Sequence, residues 1–334
     1  MPRTTPAARS ALPLPVIDLA LLRSSDIAQR RLAAAELRAA CEDRGFFYVR
    51  NHGVEAALID ALYEQSRSFF DQHDDTKRSI DKALSPCNRG YEPLRNQTLE
   101  AGAPPDVKEG YYMSVDLPAS DPRAVAGKFN HGPNQWPAGR PEFKRVTSTY
   151  YERMSDLGAL LMSGLALSLE LPEEHFAGLL TNVMSNLRLL HYPPQPPRAL
   201  PGEKGCGEHT DFGSITLLSQ DSVGGLQVWD AATGEWIDAP PVPGTYIVNI
   251  GDLMARWTND RYHSTLHRVV NTSGRERYSV AFFLGGAPDH IVECLPGCLG
   301  EGESPRYAPV TVEQHVAECY ARSYGKPIRE AATA

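Results

Sequence analysis

The tripeptide His209-Thr210-Asp211 places an imidazole and a carboxylate two residues apart, just ahead of an apolar run that begins at Ser214. In extended backbone, side chains at i and i+2 project to the same side, so the two groups can converge on one point. His267 opens a second such run, ending in Val269-Val270, and brings a third donor if the two strands are neighbours in a barrel. Two histidines and one carboxylate on one face leave coordination positions open, which suits an iron(II) ion that must take both a bidentate cosubstrate and dioxygen. The H-x-D spacing alone is common in proteins. The remaining histidines, His52, His73, His131, His175, His191, His263, His290 and His315, lack a carboxylate at that spacing with a distant strand-borne partner. His263 competes most closely with His267, but it follows the turn-like Asn259-Asp260-Arg261-Tyr262 instead of opening a strand.

Arg277-Tyr278-Ser279 forms a second constellation by the same alternation, with a guanidinium and a hydroxyl on one side of a strand. Arginine grips a carboxylate through two parallel hydrogen bonds, and the Ser279 hydroxyl can donate a third. Tyr192, at the end of an earlier strand pattern, offers another donor. Standing alone, such an arginine reads as a solvent-facing strand residue; its place shortly after His267 gives it the functional reading.

These groups need a scaffold of strands. From Asn186 onward the chain breaks into short β-type runs, Leu187–Tyr192, Ser214–Ser219, Leu226–Trp229, Tyr246–Ile250, Leu266–Val270 and Tyr278–Leu284, separated by turns such as Val223-Gly224-Gly225 and Ala232-Thr233-Gly234. That many strands predict a sandwich or barrel. Ahead of them, Val16–Leu19 and Phe46–Val49 read as strands around a helix capped by Asp26 and ended by Gly45, and a helix follows over roughly 54–72. Residues 85–140, rich in Gly, Pro and Asn, read as irregular connection framing a site. A long helix is predicted over about 141–170, from Tyr150, Met154, Leu157, Leu161 and Leu165, and a final amphipathic one over about 311–324. Pro193-Pro194-Gln195-Pro196-Pro197 reads as a stiff spacer.

Bulk composition excludes several function classes. The 334 residues are 42% hydrophobic and 22% charged, with 41 acidic against 33 basic side chains and a net charge of −8. No Lys/Arg stripe resembles a phosphate-tracking surface, so nucleic acid is not an expected partner. No glycine-rich phosphate loop and no apolar run of membrane-spanning length is present in the sequence, and a cytoplasmic protein without a membrane partner is the expectation. The six cysteines are scattered and read as free thiols; Cys294 and Cys298 lack the companion pair a zinc clip requires.

Taken in order, these segments resemble the isopenicillin N synthase-like branch of the iron(II)/2-oxoglutarate-dependent dioxygenases. The likeness rests on Leu14-Pro15-Val16-Ile17-Asp18-Leu19, the stretch from Gly45 to Val54, Arg89-Gly90-Tyr91, Asp106-Val107-Lys108-Glu109 and the stretch from Leu187 to Pro193. It continues through His209-Thr210-Asp211-Phe212-Gly213, Asn249-Ile250-Gly251-Asp252, Trp257-Thr258-Asn259-Asp260, His267-Arg268-Val269-Val270 and Arg277-Tyr278-Ser279, covering roughly residues 13–325. The resemblance implies a mostly β fold with flanking helices and a double-stranded β-helix (jelly-roll) core. It divides the chain into an N-terminal α/β region, 13–135, and an oxygenase domain with its supporting helix, 136–325. It also implies iron(II) on His209, Asp211 and His267, with the distal carboxylate of 2-oxoglutarate on Arg277 and Ser279, assisted by Tyr192, and O2 as oxidant. The implied activity is oxidation of a small-molecule C–H bond, by hydroxylation, with release of succinate and CO2. The sequence departs from many plant members at Leu190, where they carry an amide, and at Arg188, where lysine is frequent. Alternative readings are an oxidase of the isopenicillin N synthase type, whose substrate carboxylate takes the arginine, and a non-catalytic jelly-roll binding protein. Pocket walls are expected from the 85–115 loops with Tyr91, Tyr111 and Tyr112, from Phe212, Phe282 and Phe283, and from the C-terminal helix. Either a monomer or a homodimer fits.

Overall fold

A computed structural model describes residues 12–194, 200–300 and 302–325. The N-terminal Met1–Pro6 stretch and the Gln195-Pro196-Pro197 half of the proline spacer lie outside these residues. The first part of the chain gives β1 (Val16–Asp18), α1 (Ile27–Asp43), β2 (Phe46–Arg50), α2 (Ala56–Phe70), α3 (Asp74–Arg78), β3 (Gly90–Glu92), β4 (Glu109–Met113) and α4 (Pro122–Val125). The long helix α5 (Pro141–Ser168) leads into β5 (Met184–Tyr192), β6 (Cys206–His209), β7 (Ile215–Gln220), β8 (Leu226–Asp230), β9 (Glu235–Asp238) and β10 (Tyr246–Ile250). The chain ends in α6 (Asp252–Trp257), β11 (His267–Val269), β12 (Arg277–Gly286), β13 (Ile291–Val292), β14 (Val310–Thr311) and α7 (Val312–Ser323).

The strands sort into an eight-stranded sheet, β1-β2-β10-β7-β12-β5-β4-β3, and a four-stranded sheet, β6-β11-β8-β9. Alternation along the strands of the large sheet decides what each face buries. Phe47 and Val49 of β2 join the larger core with residues of α1, α2 and α5, whereas Phe46 and Tyr48 join a second core with Cys206, Leu226, Val228 and Val269 of the small sheet. The large sheet is thus covered by helices on one face and by the small sheet on the other, the two-layer β-helix expected from the sequence. α5 supports it through Phe143, Tyr150, Met154, Leu157, Leu161 and Leu165, all buried and on one face of the helix. Asp26 caps α1, its carboxylate accepting from the Ala28 amide at 2.9 Å. Among the described residues no helix is long and apolar enough to cross a membrane.

One expectation needs correction. Residues 85–140 are not purely irregular: they hold β3, β4 and α4, and β4 pairs with β5 along its whole length. The segment Glu109-Gly110-Tyr111-Tyr112-Met113 reads poorly as a strand because it is buried on both faces, so no apolar–polar alternation marks it. β6, β9 and α6 escape a reading by pattern for a different reason: each is no longer than six residues, and β6 carries only polar or small side chains.

Candidate active site

His209 is the last residue of β6 and lies directly opposite His267, the first residue of β11, in the antiparallel register. Their ring centroids are 4.2 Å apart. Asp211 follows in the crossover from β6 to β7, which carries the chain from the small sheet to the large one. The i, i+2 reasoning brings the two groups together correctly, although Asp211 sits beyond the strand end. A tight backbone crossing fixes this turn. A Cβ on Gly251 would fall 2.2 Å from the Gly213 carbonyl oxygen and 3.0 Å from that of Asp211, so only glycine lets the two segments approach.

The donor atoms converge. Asp211 Oδ1 lies 3.8 Å from Nε2 of His209 and 3.8 Å from Nε2 of His267. Its other oxygen, Oδ2, is already taken, accepting from Thr216 Oγ1 at 2.5 Å and from Asn249 Nδ2 at 2.7 Å. Each histidine turns Nδ1 to a backbone carbonyl, Gly207 at 2.8 Å and Thr265 at 3.1 Å. A carbonyl only accepts, so Nδ1 carries the proton and Nε2 presents its lone pair toward the shared point. Burial pushes the His209 imidazole below its ordinary pKa. Burial, with the neighbouring His209, pushes His267 down to about 4. Burial works to raise the Asp211 carboxyl, but His267, His209, Thr216 and Asn249 outweigh it and hold it below the usual carboxylate range. Two neutral imidazoles and an ionised carboxylate are the protonation state a divalent metal requires. The fit of an iron(II) ion to these donors is therefore good.

Among the described residues one other group of three could hold a metal: Asp252, His315 and Cys319. There Arg322 Nη2 donates to the Cys319 Sγ at 3.0 Å, and desolvation, together with the charges of Arg256 and Arg322, depresses the half-buried His315, so two cations already occupy its surroundings.

Arg277 has no accessible surface. Its Nε donates to the Gly224 carbonyl at 2.6 Å, Nη1 to Ser279 Oγ at 3.1 Å and Nη2 to Gln220 Oε1 at 3.0 Å. Gly224 stands at φ +82°, which turns this carbonyl inward at little steric cost. Tyr192 is Arg277's direct neighbour across β5 and β12, with the guanidinium carbon 4.6 Å from its ring centre. Burial raises the Tyr192 phenol, while the Arg277 charge and a hydrogen bond with Ser279 pull it back. No carboxylate among the described residues comes within 4.0 Å of the Arg277 guanidinium, although a buried charge without an opposite partner is costly by several kcal/mol. Arg277, Ser279, Tyr192 and the histidine–aspartate group line one cavity between the sheets. A dianion bridging its two ends would neutralise the guanidinium at one and complete a metal's shell at the other.

The walls follow strand alternation. Tyr112, Phe212 and Phe283 line the cavity, and α7 adds Val316 and Tyr320. Tyr91, Tyr111 and Phe282 do not. They face the helix side of the sheet, where the Tyr91 hydroxyl donates to Glu109 at 2.5 Å, that of Tyr111 to the Gln135 carbonyl at 2.7 Å, and Phe282 packs edge-on against Tyr151. Gln220, Gly224, Thr216 and Asn249 escape a motif-based reading of the site. A signal exists only for Asn249, a lone polar residue in the fully buried strand Tyr246–Ile250.

Comparison with known proteins decides the family. Residues 183–286 match the family model described as the 2OG-Fe(II) oxygenase superfamily, and residues 14–139 match that described as the non-haem dioxygenase in morphine synthesis N-terminal. A 2-oxoglutarate-Fe(II) type oxidoreductase of Emericella nidulans is 44% identical over 318 residues, covering 93% of this chain and 90% of that one. The chain belongs to the 2OG-Fe(II) oxygenase superfamily. A 2-oxoglutarate-dependent dioxygenase of Monascus ruber is 36% identical, covering 96% of this chain and 98% of its own. Among solved structures, a full-length Neurospora crassa protein in complex with alpha-KG superposes with a TM-score of 0.81 at 28% identity, covering 95% and 98% of the two chains. A putative 2OG-Fe(II) oxygenase family protein of Caulobacter crescentus superposes equally well, at 0.81 and 31% identity, covering 93% and 99%. As a 2OG-Fe(II) oxygenase the protein uses iron(II), 2-oxoglutarate and O2 and acts on a small-molecule substrate.

Asn249 provides a first test of how this oxygenase holds its carboxylate. Asn249→Ala removes one of the two donors that pin Asp211 Oδ2. Loss of such a supporting hydrogen bond weakens metal binding by roughly 10- to 100-fold. Half-saturation of succinate formation should shift to higher iron(II) by that factor, with the turnover number at saturating iron reduced far less.

Proposed function

We propose that His209, Asp211 and His267 are the iron(II) ligands, through Nε2, Oδ1 and Nε2, and that Arg277 and Ser279, with Tyr192 beside them, hold the distal carboxylate of 2-oxoglutarate. The observation that carries this reading is the sealed, carboxylate-free guanidinium of Arg277 in the same cavity as three convergent metal donors. Iron(II) with 2-oxoglutarate and O2 supplies an oxidant strong enough for an unactivated C–H bond, at the cost of converting the cosubstrate to succinate and CO2. We take the outcome to be hydroxylation.

The protein's own contribution is placement. Thr216 and Asn249 keep one Asp211 oxygen occupied so that the other faces the histidines. The carbonyls of Gly207 and Thr265 hold both imidazoles in the tautomer that binds metal. Gln220 is itself oriented, its Nε2 donating to the Ala239 carbonyl at 3.2 Å, which leaves Oε1 for Arg277. The guanidinium therefore stays fixed, and a carboxylate meeting it loses little further entropy. Residues 13–135 act in this reading as the frame that closes one side of the cavity around the oxygenase unit, 136–325.

Anaerobic titration of the iron(II)-loaded protein with 2-oxoglutarate tests the proposal. A visible metal-to-ligand charge-transfer band should grow to one equivalent of cosubstrate, and in air each turnover should release one succinate. Iron binding without any such band would sink the proposed arrangement.

A further inference from the structure

If the proposed function holds, the cavity contains one more positive charge than iron and cosubstrate use. Its charged lining residues are Lys108, Arg188, Asp211 and Arg277. Lys108 is ion-paired with buried Asp106. An iron(II) ion, the Asp211 carboxylate, doubly charged 2-oxoglutarate and Arg277 cancel one another. Arg188 is left over.

Among the described residues it has no ion-pair partner. Arg188 stands on β5 two residues after Asn186 and four before Tyr192, on the strand face that looks into the cavity. Its guanidinium carbon lies 4.3 Å from the ring centre of Tyr112 and 5.0 Å from that of Phe283, so two aromatic rings fix its plane. Its Nε is buried with no hydrogen-bond partner, and no carboxylate among the described residues lies within 4.0 Å of the guanidinium. Glu92, whose charge reaches Arg188, is already matched by Lys82 in an ion pair of 2.5 Å and bound by the hydroxyls of Tyr112 and Tyr324. Behind the same wall, buried Arg89 donates to Asn186 Oδ1 at 2.9 Å and to the Asn130 carbonyl. That bond occupies the Asn186 acceptor and leaves its amide nitrogen as a donor beside Arg188. Burying a guanidinium this way is costly unless a ligand returns the missing acceptor.

We infer that the primary substrate is a small organic monoanion whose carboxylate docks on Arg188, with the Asn186 amide beside it. The planar, two-oxygen carboxylate matches the fork of donors that the two rings hold in place. Arg277 serves the cosubstrate acid and Arg188 the substrate acid, and the bond to be oxidised lies on the part of the substrate that extends from Arg188 toward His209, Asp211 and His267. The substrate-binding role falls to Arg188 among the cavity's cations, because Lys108 is paired with Asp106 and Arg277 is assigned to the cosubstrate acid.

The test uses full-length protein loaded with iron(II) and saturated with 2-oxoglutarate under anaerobic conditions. The probes are a panel of small aromatic and alicyclic monocarboxylates, each beside its primary amide, with binding read by the shift in Tm and by perturbation of the charge-transfer band. Several acids should bind at least ~10-fold more tightly than their amides, and Arg188→Gln should erase that preference by weakening the acids roughly 100-fold. Arg188→Lys, which keeps the charge but not the fork, should retain the preference with weaker binding, and it stands in if the glutamine variant does not fold. Before any acid is added, the cosubstrate band should match that of the wild type in both variants. A panel in which no acid outperforms its amide overturns the inference, as does a preference that survives Arg188→Gln. Failure of the band in the wild type would instead overturn the cosubstrate reading on which this inference rests.

Discussion

Alanine at position 267 is expected to abolish iron-dependent succinate formation while leaving the fold in place. The His267 ring is buried, neutral and packed edge-on against Phe46 at 5.2 Å, and its one hydrogen bond is to the Thr265 carbonyl. Removing it costs the packing of one medium-sized side chain, in the ordinary range of about 1–3 kcal/mol for a buried substitution. On the proposed ligand set it also removes a third of the protein's donors, and the two remaining groups, His209 and Asp211, come from a single tripeptide that cannot close a facial site alone. Iron should stabilise the wild type by about 2.7 kcal/mol at a hundred times its dissociation constant, a rise of several degrees in Tm. The variant should show no such rise at the same iron concentration, and its metal-free Tm should fall by no more than the several degrees that a loss of about 1–3 kcal/mol brings. Retained iron-dependent turnover would remove His267 from the ligand set and return His263, exposed at the surface, to consideration.

The three convergent groups proposed as metal donors were legible in the sequence because their chemistry is carried by residue type and by short spacing. His209 and Asp211 are two residues apart, and His267 opens an apolar run; neither fact needs tertiary information. The proposed clamp was legible for the same reason, as Arg277 and Ser279 share one face of one strand. What the sequence conceals is whatever depends on strands distant along the chain. Gln220 and Gly224 meet Arg277 only because β7 pairs with β12, and Asn249 meets Asp211 only because β10 pairs with β7. Tyr111 and Tyr112 make the point within one strand. Both are aromatic and adjacent, yet only Tyr112 faces the cavity, and choosing between them requires the phase of β4 against β5. Composition shows no such phase, since both faces of β4 are buried.

Replacing Arg277 should separate cosubstrate binding from everything else the protein does. Removing one partner of a buried, hydrogen-bonded charge pair costs about 2–5 kcal/mol, so the KM for 2-oxoglutarate in Arg277→Leu should rise by about 30-fold to a few thousand-fold. Iron(II) affinity should change little, because no Arg277 contact reaches His209, Asp211 or His267. Arg277→Lys refines the argument. Lysine restores the charge but, as a point donor, cannot bond Gly224, Ser279 and a carboxylate in the fixed directions of the guanidinium, so it should recover only part of the loss. The metal-free, cosubstrate-free protein offers a readout independent of turnover. Arg277 is buried there without a carboxylate, and leucine removes that desolvated charge while leaving the Gly224 carbonyl and Gln220 amide short of a donor; these opposing terms should keep the resting Tm near the wild-type value. The rise in Tm that 2-oxoglutarate gives the iron-loaded wild type should then vanish in Arg277→Leu and return in part in Arg277→Lys. An unchanged KM for 2-oxoglutarate in the leucine variant would show that the cosubstrate's distal carboxylate binds elsewhere, and Arg188, the other guanidinium in the cavity without a carboxylate partner, would be the next residue to test in that role.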